Sequence, residues 1–178
     1  MTVEALRRRR PETLADLLDA YGCEIQTVAY LILRDRAEAE DVTIETLLTA
    51  FERGGEIRDE RALRAWLLRV ATNKALGLKR RSVRVVHLDA VPDRADARDL
   101  AATASTRVAL LAGVADLTPQ VRAALVLRYY ADLSVEEVAA ALGKSPNTIK
   151  AQLQTGLDRL RIHFADPVGA SLEEATNA

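Results

Sequence analysis

The chain has 178 residues, room for one ordinary domain or two small ones, and is 49% hydrophobic but only 4% aromatic. A formal net charge of −1 argues against a general nucleic-acid binder, and the single cysteine, Cys23, excludes an internal disulfide. No apolar run approaches the roughly 18 residues of a membrane span, and Arg7 to Arg10 followed by Pro11 does not read as a secretory leader.

One Cys and two separated His residues (His87 and His163) are too few for a zinc site. The sequence has no phosphate-cradling glycine loop and no nucleophile elbow. Cys23, among apolar neighbours, is expected to be a buried structural thiol. The expectation is a cytoplasmic protein that is not an enzyme and uses no metal or cofactor.

Ala and Leu dominate the apolar residues and long stretches lack Gly or Pro, so the fold class is all-α. A first helix is predicted from about Glu12 to Leu33, with Leu14, Leu17, Leu18, Tyr21, Ile25, Val28, Ala29 and Ile32 as one apolar stripe. A second covers about Ala37 to Arg53, with Ile44, Leu47, Leu48 and Phe51 on one side, and Gly54-Gly55 stops it. A third runs from about Glu60 to Arg81, its stripe formed by Leu63, Trp66, Leu67, Val70 and Ala71. Trp66 is read as core packing before base stacking. Charge segregates along these helices. Asp35 to Glu56 is mainly acidic, whereas Arg58 to Arg84 is basic with only Asp59 and Glu60 opposing, which suggests two faces for two partners.

Residues 83–104 hold Pro92, Asp89, Asp93, Asp96 and Asp99 with no sustained periodicity and read as a flexible acidic linker. A helix from about Ser105 to Ala115 follows. The next begins at Thr118-Pro119, a cap residue with proline in the first turn, and reaches about Tyr130. Ser134-Val135-Glu136-Glu137 is a capping box opening a short helix that ends at Gly143. Ser145-Pro146 caps a last helix to about Phe164. Residues 165–178 form a polar tail.

The segment from Leu133 to Arg161 therefore has the plan of a helix-turn-helix. Val138, Ala139, Leu142, Ile149 and Leu153 make its small core. Ser145, Asn147, Thr148, Lys150, Ala151, Gln152 and Gln154 are left near the start and outer face of the second helix, where base edges and phosphates are met in a major groove.

These residues carry a family resemblance. Leu117-Thr118-Pro119-Gln120-Val121-Arg122, Ser134-Val135-Glu136-Glu137-Val138-Ala139, Leu142-Gly143 and Ser145-Pro146-Asn147-Thr148-Ile149-Lys150 resemble domain four of bacterial RNA polymerase sigma factors. Ala39-Glu40-Asp41-Val42, Glu45-Thr46-Leu47, Ala65-Trp66-Leu67, Ala71-Thr72-Asn73 and Lys79-Arg80-Arg81 are similar to their domain two. The order and spacing resemble the extracytoplasmic-function group. The resemblance implies domain two over residues 1–82 and domain four over 105–164. It implies that Glu40, Asp41, Glu45 and Leu48 dock on core RNA polymerase, and that Arg69, Asn73, Lys74, Arg80 and Arg81 hold the opened minus-ten strand of promoter DNA. The last helix would read the minus-thirty-five element, and an anti-sigma factor is a further partner. The loop from Arg53 to Glu60 would accept a flipped base.

The chain departs from the pattern at Ile44, where the family carries Gln, at Gly77, in place of an acidic residue, and at Gln152, in place of Arg. Three functions follow: an active sigma factor, a sigma-like mimic that titrates an anti-sigma factor, or a free-standing helix-turn-helix regulator.

Overall fold

The structure, a computed structural model, describes residues 12–53, 57, 59–86 and 112–165, together with Leu6. Among these no strand occurs. Helix α1 (Glu12–Leu17) runs through a π-helical turn (Leu18–Gly22) into α2 (Cys23–Leu33), and α3 (Arg36–Arg53) and α4 (Glu60–Val86) follow. After a helical turn at 112–115 come α5 (Pro119–Leu125) with a second π-helical turn (Val126–Tyr130), α6 (Val135–Leu142) and α7 (Pro146–Ala165).

The first helix has the predicted extent, but the π turn resets its face. Such a turn holds one residue more than an α turn, so side chains after it point elsewhere than strict periodicity dictates. Leu17, Ile25, Val28, Ala29 and Ile32 are buried as expected, whereas Leu18 is 52% exposed. Cys23 is also exposed, against the expectation of a buried thiol, because the buried face at this turn passes through Gly22 and Ile25. The helix ends at Arg34, in the left-handed region at φ 61°, whose N–H bonds the Tyr30 carbonyl at 2.7 Å.

Helix α3 buries Ala39, Val42, Thr43, Thr46, Leu47 and Ala50. The hydroxyls of Thr43 and Thr46 donate to the carbonyls of Ala39 and Val42, 2.7 Å each, so neither is left unpaired in the core. Ile44 and Leu48, expected on the inward stripe, are instead 57% and 45% exposed. Ala39, Thr43, Thr46 and Ala50 fill much of the buried face beside Val42 and Leu47, and Ile44 and Leu48 lie outside it. Helix α4 reaches Val86, five residues beyond the predicted end at Arg81. Most of the predicted linker, residues 87–104, the first part of the helix expected at 105–115, the tail after 165, and most of the Arg53–Glu60 loop lie outside the described residues.

The carboxy-terminal helices meet the predicted signals closely. Pro119 opens α5 after an extended Thr118. Helices α5 and α7 approach so closely that a methyl group at Gly156 would sit 2.6 Å from Leu125 Cδ1 and 2.9 Å from Val121 Cγ1, which explains a glycine inside α7.

The two halves pack on each other: α2 meets α5, and α4 meets both α5 and α6. Their buried residues, from Leu6 to Leu153, form one continuous core. Polar contacts reinforce this. Arg64 bonds Glu24 within the first half and donates from Nη2 to the Ala131 carbonyl of the second at 2.8 Å. The Arg122 guanidinium does the reverse, reaching from the second half to the Ile32 carbonyl at 2.8 Å.

Candidate nucleic-acid interface

Helices α6 and α7 are set by three local devices. Ser134 accepts from the Glu137 N–H at 3.2 Å while the Glu137 carboxylate accepts from the Ser134 N–H at 2.8 Å, a complete capping box. The backbone and side-chain hydrogen bonds from Ser134 hold the Glu137 carboxyl below the usual carboxylate range. Gly143 ends α6 at φ 63°, a conformation that costs glycine nothing. Ser145 then caps α7, its Oγ accepting from the Thr148 N–H at 3.1 Å and lying 2.9 Å from the Thr148 hydroxyl.

With Ile149, Leu153 and Gly156 buried, Asn147, Thr148, Lys150, Ala151 and Gln154 stand exposed on α7, and Ser145 just before it. Gln152 is placed differently. It lies half-buried on the flank, with Oε1 enclosed and without a hydrogen-bond partner among the described residues. Val138, Ala139, Ile149 and Leu153 are buried between the helices, with Leu142 half-buried beside them.

The second set of predicted residues lies along α4. Arg69, Asn73, Arg80 and Arg81 are exposed and Lys74 is half-buried. They line a cleft of about 1100 Å³ walled by α3 on one side and by Ala140 to Gly143 of α6 on the other. Trp66, half-buried, packs against the core and also lines this cleft. Some of the polar groups are already engaged. The Asn73 amide donates to the Ala141 carbonyl at 3.4 Å, and Lys74 Nζ pairs with Glu45 Oε2 at 2.8 Å. Lys79 stands 3.9 Å from Glu38. Lys74 and Glu45, assigned from the sequence to two different partners, are thus paired with each other between α4 and α3.

Glu40, Asp41, Glu45 and Leu48 of α3 are all exposed, with Asp41 and Glu45 on the rim of the same cleft. Glu40 accepts from Arg36 at 3.2 Å and from Gln26 at 3.4 Å. Of the apolar side chains beside this surface, sequence reasoning had assigned only Leu48 to it. Leu14, Ala15 and Leu18 of the first helix line a groove with Ile44, Leu47 and Leu48. Periodicity places Leu14, Leu18 and Ile44 in the core; Leu14 is half-buried against it, whereas Leu18 and Ile44 are exposed.

Comparison with known proteins matches this arrangement. Residues 17–85 match the family model for sigma-70 region 2, and residues 107–160 the model for sigma-70 region 4. The chain belongs to the sigma-70 family, in its extracytoplasmic-function group. It is 33% identical over 131 residues to the RNA polymerase sigma-E factor of Streptomyces antibioticus, covering 73% of this chain and 72% of that one. It is 31% identical over 152 residues to the ECF RNA polymerase sigma factor SigL of Mycobacterium tuberculosis, covering 82% and 85%. Among solved structures it resembles the sigma factor RpoE in complex with the anti-sigma factor NepR from Bartonella quintana, with a TM-score of 0.67 at 20% identity over 88% of this chain and 99% of that one. CnrH in complex with the cytosolic domain of CnrY gives a TM-score of 0.68 at 19% identity over 93% and 96%. These two likenesses speak to the fold. Members of the sigma family regulate transcription and are not catalysts. No described helix is long and apolar enough to cross a membrane, and no cluster of three His, Cys, Asp or Glu among the described residues can hold a metal ion.

Proposed function

We propose that this chain directs cytoplasmic core RNA polymerase to promoters. The exposed carboxylates Glu40, Asp41 and Glu45 and the Leu48 edge of the apolar groove form the docking face, suited to a basic-rimmed helical partner with aliphatic anchors. Arg69, Lys74, Arg80 and Arg81 supply cations for the phosphates of an opened strand, and Asn73 an amide for a base edge. Helix α7 enters the major groove of the upstream element with Asn147, Thr148, Lys150, Ala151 and Gln154, Ser145 holding its first turn. The observation that carries the reading is the free outer face of α7, set by two caps in a chain that matches both sigma regions.

Run-off transcription with purified core polymerase on genomic fragments tests it. A discrete transcript that requires this chain supports the reading; binding to core without a transcript from any fragment overturns it.

A second reading, a mimic that titrates an anti-sigma factor, draws on one observation. Asn73 and Lys74 are bonded within the cleft, with α6 packed against α4. On the first reading α6 leaves α4 when the strand arrives. On the second it stays, and an anti-sigma factor is the sole partner.

A further inference from the structure

The outward face of α7 carries an acid as well as the groups suited to DNA. Asn147, Ala151, Gln154 and Asp158 recur at steps of four, three and four, opposite the buried Ile149, Leu153 and Gly156. The Gln154 side-chain amide donates from Nε2 to Asp158 Oδ1 at 2.9 Å and to Oδ2 at 3.0 Å. Arg161 Nη1 donates to the same Oδ1 at 2.9 Å. An ionised carboxylate only accepts hydrogen bonds, so the end of the Gln154 amide that faces it is the amino end. The carbonyl oxygen is the end left free.

We propose that Asp158 is a positioning residue for base readout: it ties back the amino group of Gln154 so that the amide leads into the major groove with its carbonyl oxygen. Gln154 then selects, at one position of the upstream element, a base that offers an amino group there. Adenine N6 and cytosine N4 are such donors, whereas guanine O6 and thymine O4 are acceptors and meet the oxygen unfavourably. An untethered glutamine can turn its amide over and serve either kind of base, so its own type does not fix the preference. The tether removes one of the two orientations before DNA arrives, which is preorganisation of the reading group. Arg161, 2.9 Å from Asp158 Oδ1, offsets the negative charge that would otherwise face phosphates. The proposal rests on the reading of α7 as the duplex-reading helix, and adds to it the chemical class of base read and the residue that sets it.

The test uses the full chain with core polymerase and a promoter library randomised over the upstream element, with the bound fraction sequenced. One position is expected to favour adenine or cytosine over guanine or thymine by about tenfold. Gln154→Ala should abolish that preference alone. Asp158→Ala should reduce it to about threefold or less and leave every other position unchanged, while binding to all sequences rises because a carboxylate has left the DNA-facing surface. Isosteric Asp158→Asn, which can bond either end of an amide, should relax the same position. A merely structural role for Asp158 would instead lower binding to all sequences alike, which overturns the proposal. So does a Gln154-dependent position that prefers guanine or thymine, or one whose preference survives both Asp158 substitutions. If instead no position depends on Gln154 and Lys150→Ala also leaves binding unaltered, the reading of α7 itself fails, and the proposal with it.

Discussion

The guanidinium of Arg122 donates to the Ile32 carbonyl at 2.8 Å, joining the end of α2 to a helix ninety residues away. Its Nε and Nη2 donate to the carbonyls of Val114, Ala115 and Leu117 at 2.9, 2.6 and 2.9 Å. Arg122 is a buried cation whose bonds run to backbone oxygens, and burial lowers its pKa from the usual guanidinium value, with Arg34 adding to the effect and Asp116 opposing it. One side chain thus braces the turn before α5 and fastens that turn to the other half. Arg122→Ala leaves these carbonyls without the donor that satisfies them, and should destabilise the chain by about 2–4 kcal/mol in denaturant unfolding. Arg122→Lys, which keeps the charge but not the planar fork, should recover only part of the loss. An unchanged midpoint for Arg122→Ala would show that water serves those carbonyls equally well.

The docking face should respond to charge without loss of fold. Glu40 and Asp41 are exposed, and the contacts of Glu40 with Arg36 and Gln26 lie at the surface, where such pairs contribute about 0–1 kcal/mol. The double change Glu40→Lys with Asp41→Lys should weaken capture by core polymerase while circular dichroism stays the same. Undiminished pull-down of core would remove α3 from the docking role.

Gly77 lies in α4, and a Cβ built there meets nothing nearer than Arg80 Nη2 at 3.9 Å. Gly77→Ala therefore removes the entropic cost of a helical glycine without a clash, and should add about 0.5–1 kcal/mol to stability. The firmer turn sits beside Lys79, Arg80 and Arg81, so transcription should rise with it. Lower stability for Gly77→Ala would mean that the helix uses the freedom of this glycine.

Lys150 stands exposed on α7 with no carboxylate bonded to it among the described contacts. As a phosphate contact, its replacement by Ala should weaken matched and scrambled upstream duplexes alike. The slope of log affinity against log salt should fall by about 0.9. A loss confined to one base position would make Lys150 a base reader instead.

The capping box gives a pH signature. The Glu137 carboxyl is lowered in the folded chain by its bonds from Ser134. Its stabilising effect is therefore fully present above its unfolded value near 4.5, and is lost as pH falls through the lowered folded value. Glu137→Gln keeps an acceptor for the Ser134 N–H but does not titrate. Thermal midpoints of the parent and this variant should converge as the solution is acidified below the ordinary carboxylate range. A constant difference across that range would show that protonation of Glu137 does not loosen the cap.

The sequence by itself determined the helical class, the extents of most helices and the helix-turn-helix, because those depend on short-range signals. Ser134 with Glu137, Gly143, and Ser145 with Pro146 act within one turn of the backbone, and the structure carries each of them out as read. Facing was less legible. Leu18, Ile44 and Cys23 turned outward because a π turn and the small residues of α3 set rotation and depth, and neither leaves a mark in a 3.6-residue pattern. Side-chain state at the candidate site was likewise hidden: Gln152 and Gln154 are two residues apart and chemically identical, yet the Gln152 oxygen is enclosed by packing and the Gln154 amide is tied by its neighbour Asp158 one turn on. Only tertiary packing decided that α6 lies along α4, that Asn73 meets Ala141, and that Arg122 reaches Ile32. Such contacts join residues up to ninety positions apart, where no local propensity acts and only the filling of a shared core and the pairing of buried backbone carbonyls choose the partner.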